Sequence, residues 1–164
     1  MLIMKNKKGF TLLELIIVVA ILGIIGTVTL TALDPAAQFQ KATDSRRKSD
    51  LAQMQRALEI YYGDHGSYPV SMGNKIDDPQ NGGIINWGSA WGSYMNMLPK
   101  DSEAPSANYA YVMTRSGQGY RIYATLDRSN DPQACNRGAA CPNAPAGACI
   151  KVCRYGVTSP NESP

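Results

Sequence analysis

The sequence predicts an α+β fold. A long N-terminal helix, membrane-spanning in its first half and amphipathic in its second, packs against a small antiparallel β-sheet, and a disulfide-closed segment ends the chain. Three observations predict it. Residues 10–33 form a run of 24 with a single charge, Glu14. Apolar residues then recur at three- and four-residue intervals through Leu51, Met54, Leu58 and Tyr61. Two alternating segments joined by a Ser/Gly turn follow at residues 108–114 and 119–127.

The apolar run is long enough to cross a bilayer. A helix of 24 residues spans about 36 Å at about 1.5 Å per residue, against a hydrocarbon core of about 30 Å. Lys5, Lys7 and Lys8 precede it and no acid does, so the N-terminus is expected in the cytoplasm and the rest outside. The formal charge of +3 has the same origin: without residues 1–9, 16 basic residues fall by three to 13, against 13 acidic ones. The basic pI is therefore a topology signal and implies no nucleic acid. A secretory signal fits poorly, because the run exceeds the usual apolar length and Leu30 stands where a cleavage site needs a small residue.

The stretch KKGFTLLELIIVVAILGIIG, from Lys7, closely resembles the class III leader of type IV pilins and type II secretion pseudopilins. That resemblance implies a prepilin peptidase that cuts between Gly9 and Phe10 and methylates the new N-terminus at Phe10. Residues 1–9 are then a cleaved leader, 10–33 a transmembrane and fibre-core helix, 34–62 an amphipathic helix and 63–164 a small extracytoplasmic domain. Gly9 supplies the small, flexible residue that peptidase access needs. Glu14 becomes an assembly charge, placed to meet the Phe10 amine of an adjoining subunit; a tolerated interfacial carboxylate is the bland alternative. Other partners implied by the family are an assembly ATPase acting through an inner-membrane platform protein, and further copies of the chain in a helical filament. The protein is expected to be a single-pass membrane protein before assembly.

Asp34-Pro35 interrupts the helix, because proline disfavours helical geometry at the preceding residue. Asp34 can equally cap a new helix with Pro35 at its first position. In the second helix the stripe is expected to pack on the domain's own sheet. Asp44 and Lys48 are spaced for an i,i+4 pair, and Arg46-Arg47-Lys48 reads as a solvated face. YYGDHGSYP ends the helix; its Tyr62, Gly66, Tyr68 and Pro69 resemble the helix exit of the major pseudopilin. His65, the only histidine, reads as an exposed turn residue. Residues 71–83 read as a Gly/Asn-rich loop. Trp87, Trp91, Tyr94, Met95 and Leu98 read as core or subunit interface.

Cys135, Cys141, Cys149 and Cys153 lie beyond the sheet, in the oxidising compartment that the topology implies. Their C-x5-C-x7-C-x3-C spacing lacks the close pairs of a zinc site, so two disulfides are expected. If ACIKVCRYGV is a strand, Cys149 and Cys153 stand about 13 Å apart, too far to bond. Nested pairing, Cys141 to Cys149 inside Cys135 to Cys153, is then suggested; if the segment is a turn, adjacent pairing opens. Residues 159–164 read as a frayed tail.

No cofactor is expected. The major pseudopilin of the family holds calcium in a C-terminal loop, which makes Asp127, Asn130 and Asp131 the oxygen cluster to weigh; solvated turn residues are the preferred reading. Phosphate loops, H-E-x-x-H, nucleophile elbows and C-x-x-C are all missing from the sequence, and a single histidine gives triad chemistry little support. The leading expectation is a pilin-like subunit of a surface filament. A type II secretion pseudopilin is the alternative, and a membrane-anchored binding module that never polymerises is the second.

Overall fold

The structure is a computed structural model that describes residues 9–160, 162 and 164. Residues 1–8, with Lys5, Lys7 and Lys8 of the expected leader, and Asn161 and Ser163 of the expected tail lie outside the described residues. The chain divides into two compact units, one ending at Phe39 and one beginning at Gln40.

The first unit is α1, Leu12–Leu33, and the start of α2, Pro35–His65. Every described side chain of α1 from Leu12 to Thr29 is exposed. A helix apolar on all sides has no face for water and suits a bilayer or a bundle of its own kind; Leu12–Thr29 is long and apolar enough to cross a membrane. Asp34 separates the two helices. It adopts φ 37°, a left-handed geometry that Asp tolerates better than most residues and that proline favours by disfavouring the helical alternative. Its Oδ1 accepts the Ala37 N–H and its carbonyl accepts the Gln38 N–H, so the residue that stops α1 also starts α2.

In the second unit α2 buries Leu51, Met54, Ala57, Leu58 and Tyr61, the stripe the spacing predicts. The helix runs one turn past Tyr62, carrying Gly63 inside it, and stops at Gly66, whose φ of 70° a side chain would resist. The hairpin forms as β4, Ala110–Thr114, and β5, Gly119–Thr125, with Tyr111 opposite Ile122 and Met113 opposite Tyr120. β6, Cys153–Thr158, pairs on the other edge of β5. A second sheet stands where a loop was expected: β1, Val70–Met72, β2, Lys75–Asp78, and β3, Gly83–Ile84. Gly73 and Asn74 both take positive φ, 57° and 61°, the two-residue turn that a tight hairpin requires.

β5 is buried on both faces. Tyr120, Ile122 and Ala124 join the α2 stripe in one core. Tyr123, with Ala110, packs against Cys141, Ala148, Cys149 and Cys153 in another. The order is therefore helix, sheet, cysteine segment, with period-2 alternation sending side chains both ways. Tyr109, Tyr111 and Tyr120 are fully buried, yet each hydroxyl donates: to Asp50 at 2.6 Å, the Pro69 carbonyl at 2.7 Å and Glu59 at 3.0 Å. Burial pushes all three phenols above their ordinary value.

Candidate functional site

Gly9 is exposed and non-helical, and Phe10 is 93% exposed. Thr11 caps α1 from an extended conformation, φ −80° and ψ 153°. Its N–H and its hydroxyl both donate to Glu14 Oε2 at 2.8 Å, and its Oγ1 accepts the Glu14 N–H at 3.2 Å. This is a capping box, two orphan amides of the helix start satisfied reciprocally. It gives Glu14 a local duty that the sequence reading had not assigned, and it uses one carboxylate oxygen; Oε1 has no hydrogen bond among the described residues. The junction 9–10 is thus open backbone, immediately followed by a rigid helix whose one carboxylate is held at the N-terminal end.

The second polar centre lies beneath α2. Arg47, read as part of a solvated face, is 1% exposed. Its Nε donates to Asp101 at 2.8 Å, its Nη2 to Asp101 at 3.1 Å and Glu103 at 2.9 Å, and its Nη1 stands 3.0 Å from Asp127. Asp44 is 3.6 Å from the same guanidinium and accepts the N–H groups of Asp127 and Arg128. Burial alone would lower the Arg47 pKa, but Asp101 and Asp127 outweigh it and raise it. The expected Asp44–Lys48 pair does not form. Lys48 donates to Asp131 at 2.6 Å instead. The sequence carried a signal for this: Asp44 and Arg47 continue the phase of Leu51, Met54 and Leu58, so they share the buried face.

The oxygen cluster weighed for a cation is engaged elsewhere. Asp127 faces Arg47, Asp131 faces Lys48 and also accepts the Gln133 N–H, and Asn130 is exposed. No group of three or more metal-ligating side chains occurs among the described residues. His65 is half-buried, stacked on Tyr61 at 4.1 Å and in hydrogen-bond contact with Gln80 at 3.1 Å, which corrects the exposed reading.

The cysteines bond in adjacent pairs, Cys135 to Cys141 and Cys149 to Cys153, with Cα separations of 4.9 and 5.4 Å. Nested pairing is overturned because residues 149–153 are not one strand. Ile150 takes φ 64° and the Lys151 N–H returns to the Cys149 carbonyl, so the chain reverses and β6 begins only at Cys153. The expected fray is also corrected. Ser159 is buried, and the Glu162 carboxylate takes Thr114 at 3.0 Å, Arg115 at 2.7 Å and Arg121 at 2.6 Å.

Comparison with known proteins bears on the N-terminal motif and on the chain as a whole. The model of the prokaryotic N-terminal methylation motif matches residues 4–30. The Type II secretion system core protein G of Aeromonas hydrophila is 33% identical over 72% of this chain and 80% of its own length. The chain belongs to the type IV pilin and type II secretion pseudopilin family. The Vibrio cholerae protein of the same name is 32% identical over 60% of this chain and 66% of its own length. Fimbrial protein EcpB of Eikenella corrodens is 31% identical over 79% of this chain and 75% of its own length. The alignment spans less than two thirds of the Vibrio cholerae protein, and only 47% of the core protein G of Klebsiella pneumoniae. No solved structure matches. The long N-terminal helix packed against small antiparallel sheets is the architecture that membership implies.

Proposed function

We propose that this chain is the major-type pseudopilin of a type II protein secretion system. A prepilin peptidase cuts it between Gly9 and Phe10 and methylates Phe10. α1 anchors it with a cytoplasmic N-terminus, and an assembly ATPase acting through a membrane platform protein then drives copies of it into a helical filament. The observation that carries the choice of system is the relatives' naming: core protein G of type II secretion recurs, and the Aeromonas protein aligns over 72% of this chain. The surface-pilus expectation recedes to a second reading, favoured by the long EcpB alignment.

The geometry at the N-terminus supports the assembly step. Cleavage leaves a cationic amine on Phe10, one residue before the cap of α1. Glu14 keeps Oε2 on its own Thr11 and has Oε1 to offer a neighbour's amine. A carboxylate drawn into a dry helical core is costly when unpaired, so pairing selects the axial register at which amine and acid meet. Deleting the gene tests the system: loss of a secreted enzyme from the medium with surface fibres unchanged is expected, and loss of surface fibres with normal secretion supports the pilus.

A further inference from the structure

We propose that in the filament the outer flank of α2 on one copy docks against the apolar depression beside the Cys149–Cys153 turn of the next, with Glu59 facing Lys151. The proposal rests on the filament-subunit reading above and names the contact between globular units. The first surface is a shallow groove of about 630 Å³ where Ala52, Arg56, Glu59 and Ile60 meet Tyr120 and Pro160. Ile60 is 57% exposed at its rim. The second is a depression of about 360 Å³ bordered by Ala144, Pro145, Gly147, Ile150, Lys151 and Val152. Small residues make the hollow, and Ile60 is a branched apolar side chain that can enter one.

The Cys149–Cys153 turn gives the strongest reason to look outward. Ile150 is β-branched, yet it is held at φ 64°, where such a residue is an outlier. The disulfide across the turn, the Ile150 N–H to the Gly147 carbonyl and the Lys151 N–H to the Cys149 carbonyl all hold it there. Its side chain contributes nothing to the core, being 56% exposed with Val152 beside it. Backbone strain kept at an exposed apolar tip is a feature of contact sites.

Charge and topology choose the occupant. Glu59 is the acid of the first surface, flanked there by Arg56, and Lys151 is the base of the second; all three are exposed. α2 lies on one face of the β4-β5-β6 sheet and the cysteine segment on the other. Two different complementary surfaces on opposite sides of one subunit make a heterologous contact that does not close on itself, and such contacts build open helical arrays.

The test is charge reversal in the full chain, read as sedimentable filament per cell. Glu59→Lys and Lys151→Glu are each expected to lower yield about tenfold, and the double variant to return to within about threefold of wild type. Glu59 also accepts the Tyr68 and Tyr120 hydroxyls, and Lys151 also donates to Glu103. Those internal losses are not repaired by a change at the other site, so recovery reports the contact between copies. A double variant no better than the singles, or singles that assemble like wild type, overturns the proposal. Should a variant fail to accumulate, benzoylphenylalanine at Val152 in assembled filaments replaces it. Cross-linking to the peptide holding residues 52–60 of another copy is expected, and an adduct elsewhere, or none, overturns the contact. Wild-type chain that is cleaved but never sediments as filament overturns both this proposal and the reading beneath it.

Discussion

Replacing Arg47 by Met should destabilise the globular unit more than any other single charge removal. The substitution keeps length and apolar stem but deletes a guanidinium that four carboxylates face: Asp101, Glu103, Asp127 and Asp44. Two of these, Asp44 and Asp101, are themselves buried. Breaking a buried pair from one side costs about 3–5 kcal/mol, because the remaining charge is left without compensation. For a unit of this size that is a large share of a total of about 5–15 kcal/mol, and it corresponds to a fall in melting temperature of roughly 10–20 °C. The assay is thermal unfolding of the full chain in detergent, followed by near-ultraviolet circular dichroism, where the buried tyrosines report. Adding Asp101→Asn to Arg47→Met should recover part of the loss, since it removes one stranded charge. A single variant melting within about 2 °C of wild type would show that the carboxylates are solvated or neutral without Arg47, and the reasoning would fail.

Acid should loosen the same unit. Lys151 and Arg47 hold Glu103 below its ordinary range, and at Asp131 Lys48 and the Gln133 N–H outweigh burial with the same result. A carboxyl with a depressed folded pKa adds stability that is complete above the unfolded value of about 4 and is lost as pH falls through the folded value. Melting temperature should therefore decline as pH drops below about 5, and a flat profile down to pH 3 would contradict it. Non-reducing peptide mapping should recover Cys135 with Cys141 and Cys149 with Cys153; Cys141 joined to Cys149 would restore the nested arrangement. Glu162→Gln should lower the unfolding midpoint by stranding Arg115 and Arg121, where a frayed tail predicts no change. Glu14→Leu should enter the membrane and be cut after Gly9 as wild type is, yet assemble poorly; normal filament yield would return Glu14 to its capping role alone.

The helices and the hairpin were legible because their signals are local. The Leu51–Met54–Leu58–Tyr61 spacing, Asp34-Pro35 and the alternation around Ser116-Gly117 each specify structure within a few residues. Arg47 was misread because a run of three basic residues looks solvated when it is considered without its helical phase. Its partners Asp101, Glu103 and Asp127 are more than fifty residues away, and no local pattern names them. The cysteine pairing turned on whether residues 149–153 extend or reverse, and the left-handed Ile150 that decides it is a conformation no propensity would assign to isoleucine. GYRIYATLD was legible only as an alternating strand; that β5 is covered on its second face, by the disulfide segment, was not. At the N-terminus the leader motif was plain in sequence, while the Thr11–Glu14 capping box emerged only with the helix start defined.

The most direct measurement is the mass of the mature N-terminal peptide from protein purified out of its own membrane. The account predicts a chain that begins at Phe10 and carries one methyl group on its amine. A mature chain that retains residues 1–9 would leave no amine at Phe10 for Glu14 to meet, and would contradict both the processing and the filament built on it.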